Sequence, residues 1–163
     1  INTRIKKLNN GEYDAIILAA TGVQKLGIQD EVKYFTPIDT KDMIPSMGQA
    51  TLAIETLDEP EIIKLVSVLN DENAHIESFI ERSFVHTLEG GCQVPIGVKA
   101  TIIKDEKIHV EAIVGLPDGS EYIKEELIAA IDDYNTIGED FAELFIEQGA
   151  KELLSRAEKL AFK

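Results

Sequence analysis

Three stretches in the second half of the chain, Val98 to Lys104, Lys107 to Gly115 and Glu121 to Ala129, constrain the fold more than anything else in the sequence. Each alternates or runs apolar over a strand's length. Only Asp105-Glu106 separates the first pair from each other closely, and Leu116-Pro117-Asp118-Gly119 stands before the third. Links this short are turns, so the stretches read as three antiparallel strands. Such a sheet must bury one face under other elements. Upstream, Ile76, Phe79, Ile80, Ser83, Phe84 and Leu88 recur at helical spacing, with Asp71 or Asn73 able to cap, and Ile62, Leu65, Val66 and Leu69 mark a shorter helix before them. Downstream, Thr136 and Glu139 form a capping-box signature ahead of Phe141, Leu144, Phe145, Leu153, Leu154 and Ala157. That pattern predicts one final helix closing a sheet face, with Gly149 inside it at a cost of about 1 kcal/mol relative to Ala. From about Asp71 onward the chain reads as a self-contained α+β domain.

The first part of the chain reads differently. Asn2-Thr3-Arg4, with Ile5 and Leu8 before Asn9-Asn10-Gly11, predicts a short amphipathic helix. Tyr13 to Ala20 is apolar throughout after Asp14, which predicts a strand buried on both faces of an α/β layer, followed by a helix over Thr21 to Leu26 that ends at Gly27. Ligands of α/β sheets lie beyond the carboxyl ends of strands, which draws attention to this turn. Glu31 to Thr36 reads as a weak strand, Asp39 to Met43 as a polar loop, and Thr51 to Glu55 alternates like a further strand. The fold class is therefore an α/β remnant followed by an α+β unit, with expected divisions at 1–45, 46–70 and 71–163.

A formal net charge of -14 argues against wrapping nucleic acid, whose binding rests on lysine and arginine neutralising phosphates. An acidic ligand would need a local island of cations, because charges are screened over about 8 Å at physiological ionic strength. No apolar run approaches the ~20 residues needed to span a bilayer. A single cysteine permits no internal disulfide, which suits a reducing compartment, and no signal segment opens the sequence. The expected location is the cytoplasm. His75 and His86 share a helix without further ligands at metal-binding spacing and read as surface histidines, and no metal is expected.

That cysteine is Cys92, in Leu88-Glu89-Gly90-Gly91-Cys92-Gln93-Val94-Pro95-Ile96-Gly97. On composition alone a lone cysteine is a small buried hydrophobe. Here two glycines precede it and a proline follows, which marks a loop, and the absence of β-carbons on the glycine side lets a bulky group approach the sulfur.

This loop, with Glu81-Arg82-Ser83-Phe84 before it, resembles the cofactor-attachment segment of porphobilinogen deaminase, also called hydroxymethylbilane synthase. Asn9 to Ala20 with Gly22 and Leu26-Gly27 is similar to a second signature of that family, and Ile44-Pro45-Ser46-Met47-Gly48-Gln49-Ala50 resembles a third. All three occur in the family's order and near its spacing. The chain corresponds to the C-terminal half of the family's protein: the end of its second domain, a crossover segment belonging to the first, and the third domain.

The resemblance implies a cytoplasmic transferase of tetrapyrrole biosynthesis that joins four porphobilinogen units, releasing ammonia, on a dipyrromethane held by a thioether to Cys92. It implies that Arg4 and Lys25 bind carboxylates of the cofactor and that Gly22, Gly48 and Gln49 lie beside it. Lys25 stands where the family has arginine and so lacks the planar fork that grips a carboxylate at two points. Ala50 stands where the family usually has glycine, and Thr56-Leu57 where it has Cys-Arg. The proton-handling aspartate of the family falls outside this sequence, so no catalytic residue is expected within it, and loading of the cofactor is expected to need the missing N-terminal half. The parent is expected to be monomeric, while an isolated half exposes apolar surface that invites self-association. Two other classes remain open on the residues alone. One is a cysteine enzyme with a base beside the thiol, and the other is a non-catalytic structural or interaction domain with a free thiol.

Overall fold

The computed structural model describes residues 1–89 and 95–161. The described chain divides into two compact units, Ile1–Met43 and Ile44–Lys163.

The second unit holds the sheet. Strands β1 (Ile96–Ile103), β2 (Lys107–Gly115) and β3 (Tyr122–Ala130) form an antiparallel meander in the order β1-β2-β3. The register runs Val98 opposite Ala112 and Val110 opposite Leu127, so inward residues of all three strands share one face. Val98, Ala100, Ile108, Val110, Ala112 and Val114 are buried there, while Lys99, Glu111, Lys124 and Glu126 line the other face. The sequence periodicity placed all three strands to within two residues at each end. Asp105 and Glu106 take positive φ in the first turn, a conformation that aspartate tolerates better than most residues.

Helix α4 (Glu72–Thr87) covers this face, with Ile80, Phe84, Val85 and Leu88 in the core. Asp71 is its N-cap, accepting the Ala74 amide at 3.1 Å, an interaction of about 1 kcal/mol. Helix α5 (Tyr134–Glu147) packs against α4 through Phe84, Phe141 and Phe145, whose ring centroids lie 5.1 to 5.4 Å apart. Phe145 meets both other rings edge to face, and such pairs contribute about 0.5–1.5 kcal/mol each beyond their burial. Gly138 brings the two helices close, facing the Ile80 carbonyl where any β-carbon would collide.

The single final helix expected from the sequence is instead two. Gly149, at φ +96°, breaks the run, and α6 (Ala150–Ala161) turns back with Leu153, Leu154 and Ala157 in the core. The apolar positions on either side are real, but one straight rod could not bring both sets onto the sheet. The capping box also fails. The helix begins before Thr136, whose hydroxyl donates back to the Asp133 carbonyl at 3.4 Å.

Within the second unit, α3 (Pro60–Val66) and a 3-10 turn at Ser67–Leu69 replace the single helix read through Leu69. The expected strand over Thr51 to Glu55 is absent among the described residues, and Leu52, at 92% exposed, and Val68, at 81%, are left in solvent.

The first unit contains α1 (Asn2–Asn9) and α2 (Ala20–Leu26), both at the positions expected, and a small core of Ile5, Val23 and Ile28. Tyr13 to Ala19 is not a strand. Ile16 and Leu18 pack on that core, but Tyr13 and Ile17 are exposed, because no described strand lies beside the segment to take its backbone hydrogen bonds. The weak strand over Glu31 to Thr36 is likewise absent, its start occupied by a 3-10 turn at Gln29–Glu31. No helix among the described residues is long and apolar enough to cross a membrane.

Candidate functional site

Cys92, with Gly90, Gly91, Gln93 and Val94, lies outside the described residues, so the expectation of an accessible thiol is neither met nor refused. The two ends of its loop are described, and both are fixed. Leu88 closes α4, buried in the core with its amide on the Phe84 carbonyl at 3.2 Å. Glu89 follows at φ +56°, its carboxylate 3.0 Å from the Lys151 ammonium of α6. On the far side the Pro95 carbonyl accepts the Gly115 amide at 3.2 Å, and Ile96 enters β1 opposite Val114. The loop thus leaves a packed helix and returns to a paired strand.

The segment containing Gly48 and Gln49 runs along β1. The Pro45 carbonyl accepts the Val98 amide at 2.9 Å. Gly97 makes this approach possible, since a β-carbon there would stand 2.7 Å from the Ile44 carbonyl oxygen. The chain then turns tightly: the Gln49 amide donates to Ser46 at 3.2 Å and the Thr51 amide to Gly48 at 3.0 Å. Gly48 and Ala50 both have positive φ, at 67° and 71°. The Gln49 amide oxygen lies 3.5 Å from the Ser46 hydroxyl.

The residue that sequence reasoning missed is Glu81. It is the buried charged side chain among the described residues, 8% exposed, and it accepts the Gly48 amide at 2.6 Å with Oε2 and the Ala100 amide at 3.0 Å with Oε1. One turn earlier Glu77 accepts the Ile102 amide at 2.8 Å. Burial pushes the Glu81 carboxyl above the ordinary glutamate range, against the pull of the two amides and of Lys99. A signal was present in the sequence. Glu77 and Glu81 stand four apart and lead into Phe84, Val85 and Leu88 on the inward stripe, where a charge is retained only with partners.

Arg4, Gly22 and Lys25 belong to the first unit. Arg4 on α1 and Lys25 on α2 are exposed, and among the described residues neither forms an ion pair. Gly22 in α2 faces the Ile1 side chain, which a β-carbon would meet at 2.9 Å. The charge distribution bears on the expected island of cations. Residues 1–43 hold six basic and six acidic side chains, whereas 44–163 hold ten basic and twenty-four acidic, so the whole net charge of -14 falls on the second unit. The two cations sit on the neutral unit, with Lys6 and Lys7 on the same helix as Arg4.

His75 and His86 are exposed on α4, and His109 on β2 contacts Glu126 at 2.9 Å. No group of three or more potential metal ligands occurs among the described residues.

A family model described as "Porphobilinogen deaminase, dipyromethane cofactor binding domain" matches residues 1–64, and one described as "Porphobilinogen deaminase, C-terminal domain" matches residues 75–147. The porphobilinogen deaminase of Aliarcobacter butzleri is 70% identical over all 163 residues, which cover 52% of that protein. That of Nitratiruptor sp. is 52% identical over the same 163 residues, again 52% of its length. That of Sulfurimonas denitrificans is 51% identical over 160 residues, or 98% of this chain and 51% of the relative. The chain spans about half the length of the curated relatives it matches.

Proposed function

Because this chain belongs to the porphobilinogen deaminase family, we propose that it is the cofactor-bearing half of a transferase that builds hydroxymethylbilane from four porphobilinogen units, with Cys92 as the covalent anchor of the dipyrromethane. The observation that carries this reading is the framing of the Cys92 loop between a packed helix end at Leu88 and a paired strand at Ile96. A tether that must survive many turnovers needs fixed ends and an accessible middle, and two glycines beside the sulfur supply the access.

The residues fit the group's chemistry. Dipyrromethane carries acetate and propionate carboxylates, and Arg4 and Lys25, exposed on the neutral unit and without an ion pair among the described residues, are suited to bind them. Arg4 offers a planar two-point grip, and Lys25 a single mobile charge. Gly48, with open space where a β-carbon would stand, allows close backbone approach, and Gly22 and Gln49 are proposed to lie beside the group. When bound, the dipyrromethane supplies the pyrrole end to which new units are joined. Cys92 holds it through a thioether and is not consumed. The carboxylate that handles protons, and most of the remaining cations, are assigned to the other half of the protein, so this chain by itself is inactive.

The exposed apolar side chains of Leu52, Ile54, Leu57, Leu65, Val68 and Leu69 support the same reading. They mark a segment that the rest of the protein covers, and in its absence they favour self-association. A reducing, cytoplasmic setting suits a thiol that must stay free until loaded. Intact mass of the whole protein tests the reading: a dipyrromethane adduct mapping to Cys92 is expected, and an adduct elsewhere or none would overturn it.

A further inference from the structure

We propose that Glu81 is a positioning residue for cofactor attachment, locking the Ser46–Ala50 turn to strand β1 by accepting the Gly48 and Ala100 amides on its two oxygens. This role rests on the reading of Cys92 as the anchor.

The geometry makes one side chain a junction of three segments. Glu81 stands on α4, less than two turns before Leu88, where the helix enters the Cys92 loop. Ala100 lies on β1, four residues after Ile96, where the strand leaves that loop. Gly48 is the centre of the turn that the proposed function sets beside the cofactor. The turn has little else to hold it. Its internal hydrogen bonds are local, Met47, Gln49 and Ala50 are exposed, and it carries two residues at positive φ. Among the described residues its other tether to the sheet is the Pro45 carbonyl on the Val98 amide.

The choice of residue supports a positioning role. An apolar side chain of similar size would fill the space without desolvating a charge, and buried charges are often no better for stability than such a replacement. What an apolar side chain cannot do is accept amides from two separate segments at once and so fix their spacing. Charge-assisted bonds of this type are shorter and about twice as strong as neutral ones, in line with 2.6 Å to Gly48.

The test uses the whole protein, prepared free of cofactor, as wild type, Glu81→Gln, Glu81→Asp and, as a control for lost stability, Leu153→Val in the α6 core. Glutamine keeps one acceptor but turns an amide donor toward the second N–H. Aspartate is too short to span both amides. Each protein is supplied with porphobilinogen well below its melting temperature, the mass gained on Cys92 is followed in time, and exchange of the Gly48 amide is measured. Both Glu81 variants are expected to load about tenfold more slowly, the effect of losing one charged hydrogen bond, with Gly48 exchanging faster by a similar factor. Leu153→Val should melt lower yet load at the wild-type rate. Wild-type loading in Glu81→Gln, equal slowing in Leu153→Val, or unchanged Gly48 exchange would each overturn the role while leaving Cys92 as anchor. A wild-type protein that gains no mass on Cys92 would overturn the anchor, and this role with it.

Discussion

Gly138 of α5 faces the carbonyl oxygen of Ile80 in α4, and a β-carbon placed on it would also meet the Ser83 β-carbon at 2.7 Å and the Phe84 amide nitrogen at 3.0 Å. Two of these three atoms belong to backbone, which cannot swing aside. The missing side chain therefore sets the spacing of the helices that carry the Phe84, Phe141 and Phe145 cluster. Gly138→Ala should lower stability by about 1–3 kcal/mol, as overpacking does, despite alanine's better helix propensity. Chemical denaturation would show it, and an unchanged or raised midpoint would mean that α5 separates from α4 freely.

Ala50 occupies a left-handed conformation, at φ +71°, that costs an alanine roughly 1–2 kcal/mol. Glycine would remove the strain and add about 0.4–1 kcal/mol of unfolded-state entropy cost. Ala50→Gly is thus expected to stabilise the chain by about 0.5–1 kcal/mol, read as a higher melting temperature. A lower one would show the turn to be unstrained.

The raised carboxyl of Glu81 has a pH signature. A folded state that holds this proton to higher pH than the unfolded chain gains stability from it fully below the unfolded glutamate pKa, roughly 4.3, and loses that gain as pH rises through the folded value. The stability of the wild type relative to Glu81→Gln should therefore fall as pH is raised from about 4 toward 7. Parallel pH profiles for the two proteins would show that Glu81 ionises as an ordinary glutamate.

Cys92→Ser in the whole protein should abolish stable retention of the dipyrromethane. A hydroxyl is a far weaker nucleophile than a thiol that is partly ionised near neutrality. The exchange is nearly isosteric, so the expected change in stability is within about 0.5 kcal/mol. Mass spectrometry and a melting curve on one sample decide both. A retained adduct, or a loss of several kcal/mol in protein that never carried the group, would return Cys92 to a packing role.

The isolated 163-residue chain should consume no porphobilinogen, since the function proposed above leaves the proton-handling carboxylate to the other half of the protein. Measurable formation of linear tetrapyrrole by the purified chain would place the catalytic group within it.

What could be read from the sequence was what local chemistry decides. The strands around Val98, Val110 and Leu127 were legible because period-2 alternation and short turns specify a meander without reference to anything distant. Asp71 was legible as a cap for the same reason. Tyr13 to Ala19 was misread because a strand is a relationship: the run has the right composition, but its backbone needs a neighbour that no described segment provides. Gly149 was read as a helical residue at a small propensity cost, yet it serves as a reversal, and only the demand that Phe145 and Leu153 reach one core distinguishes the two. Glu81 was legible as a charge on the inward stripe four residues after Glu77, but its partners were not, because they are backbone amides at Gly48 and Ala100, which no side-chain motif announces.

Strand β1 is the margin of its sheet, yet three alternate amides on its open side, Val98, Ala100 and Ile102, are taken up by Pro45, Glu81 and Glu77. A margin occupied in this way cannot serve as a template on which another chain adds a strand, and the two carboxylates place negative charge where such a chain would have to dock. Protection against intermolecular growth is thus built from the same helix that borders the Cys92 loop.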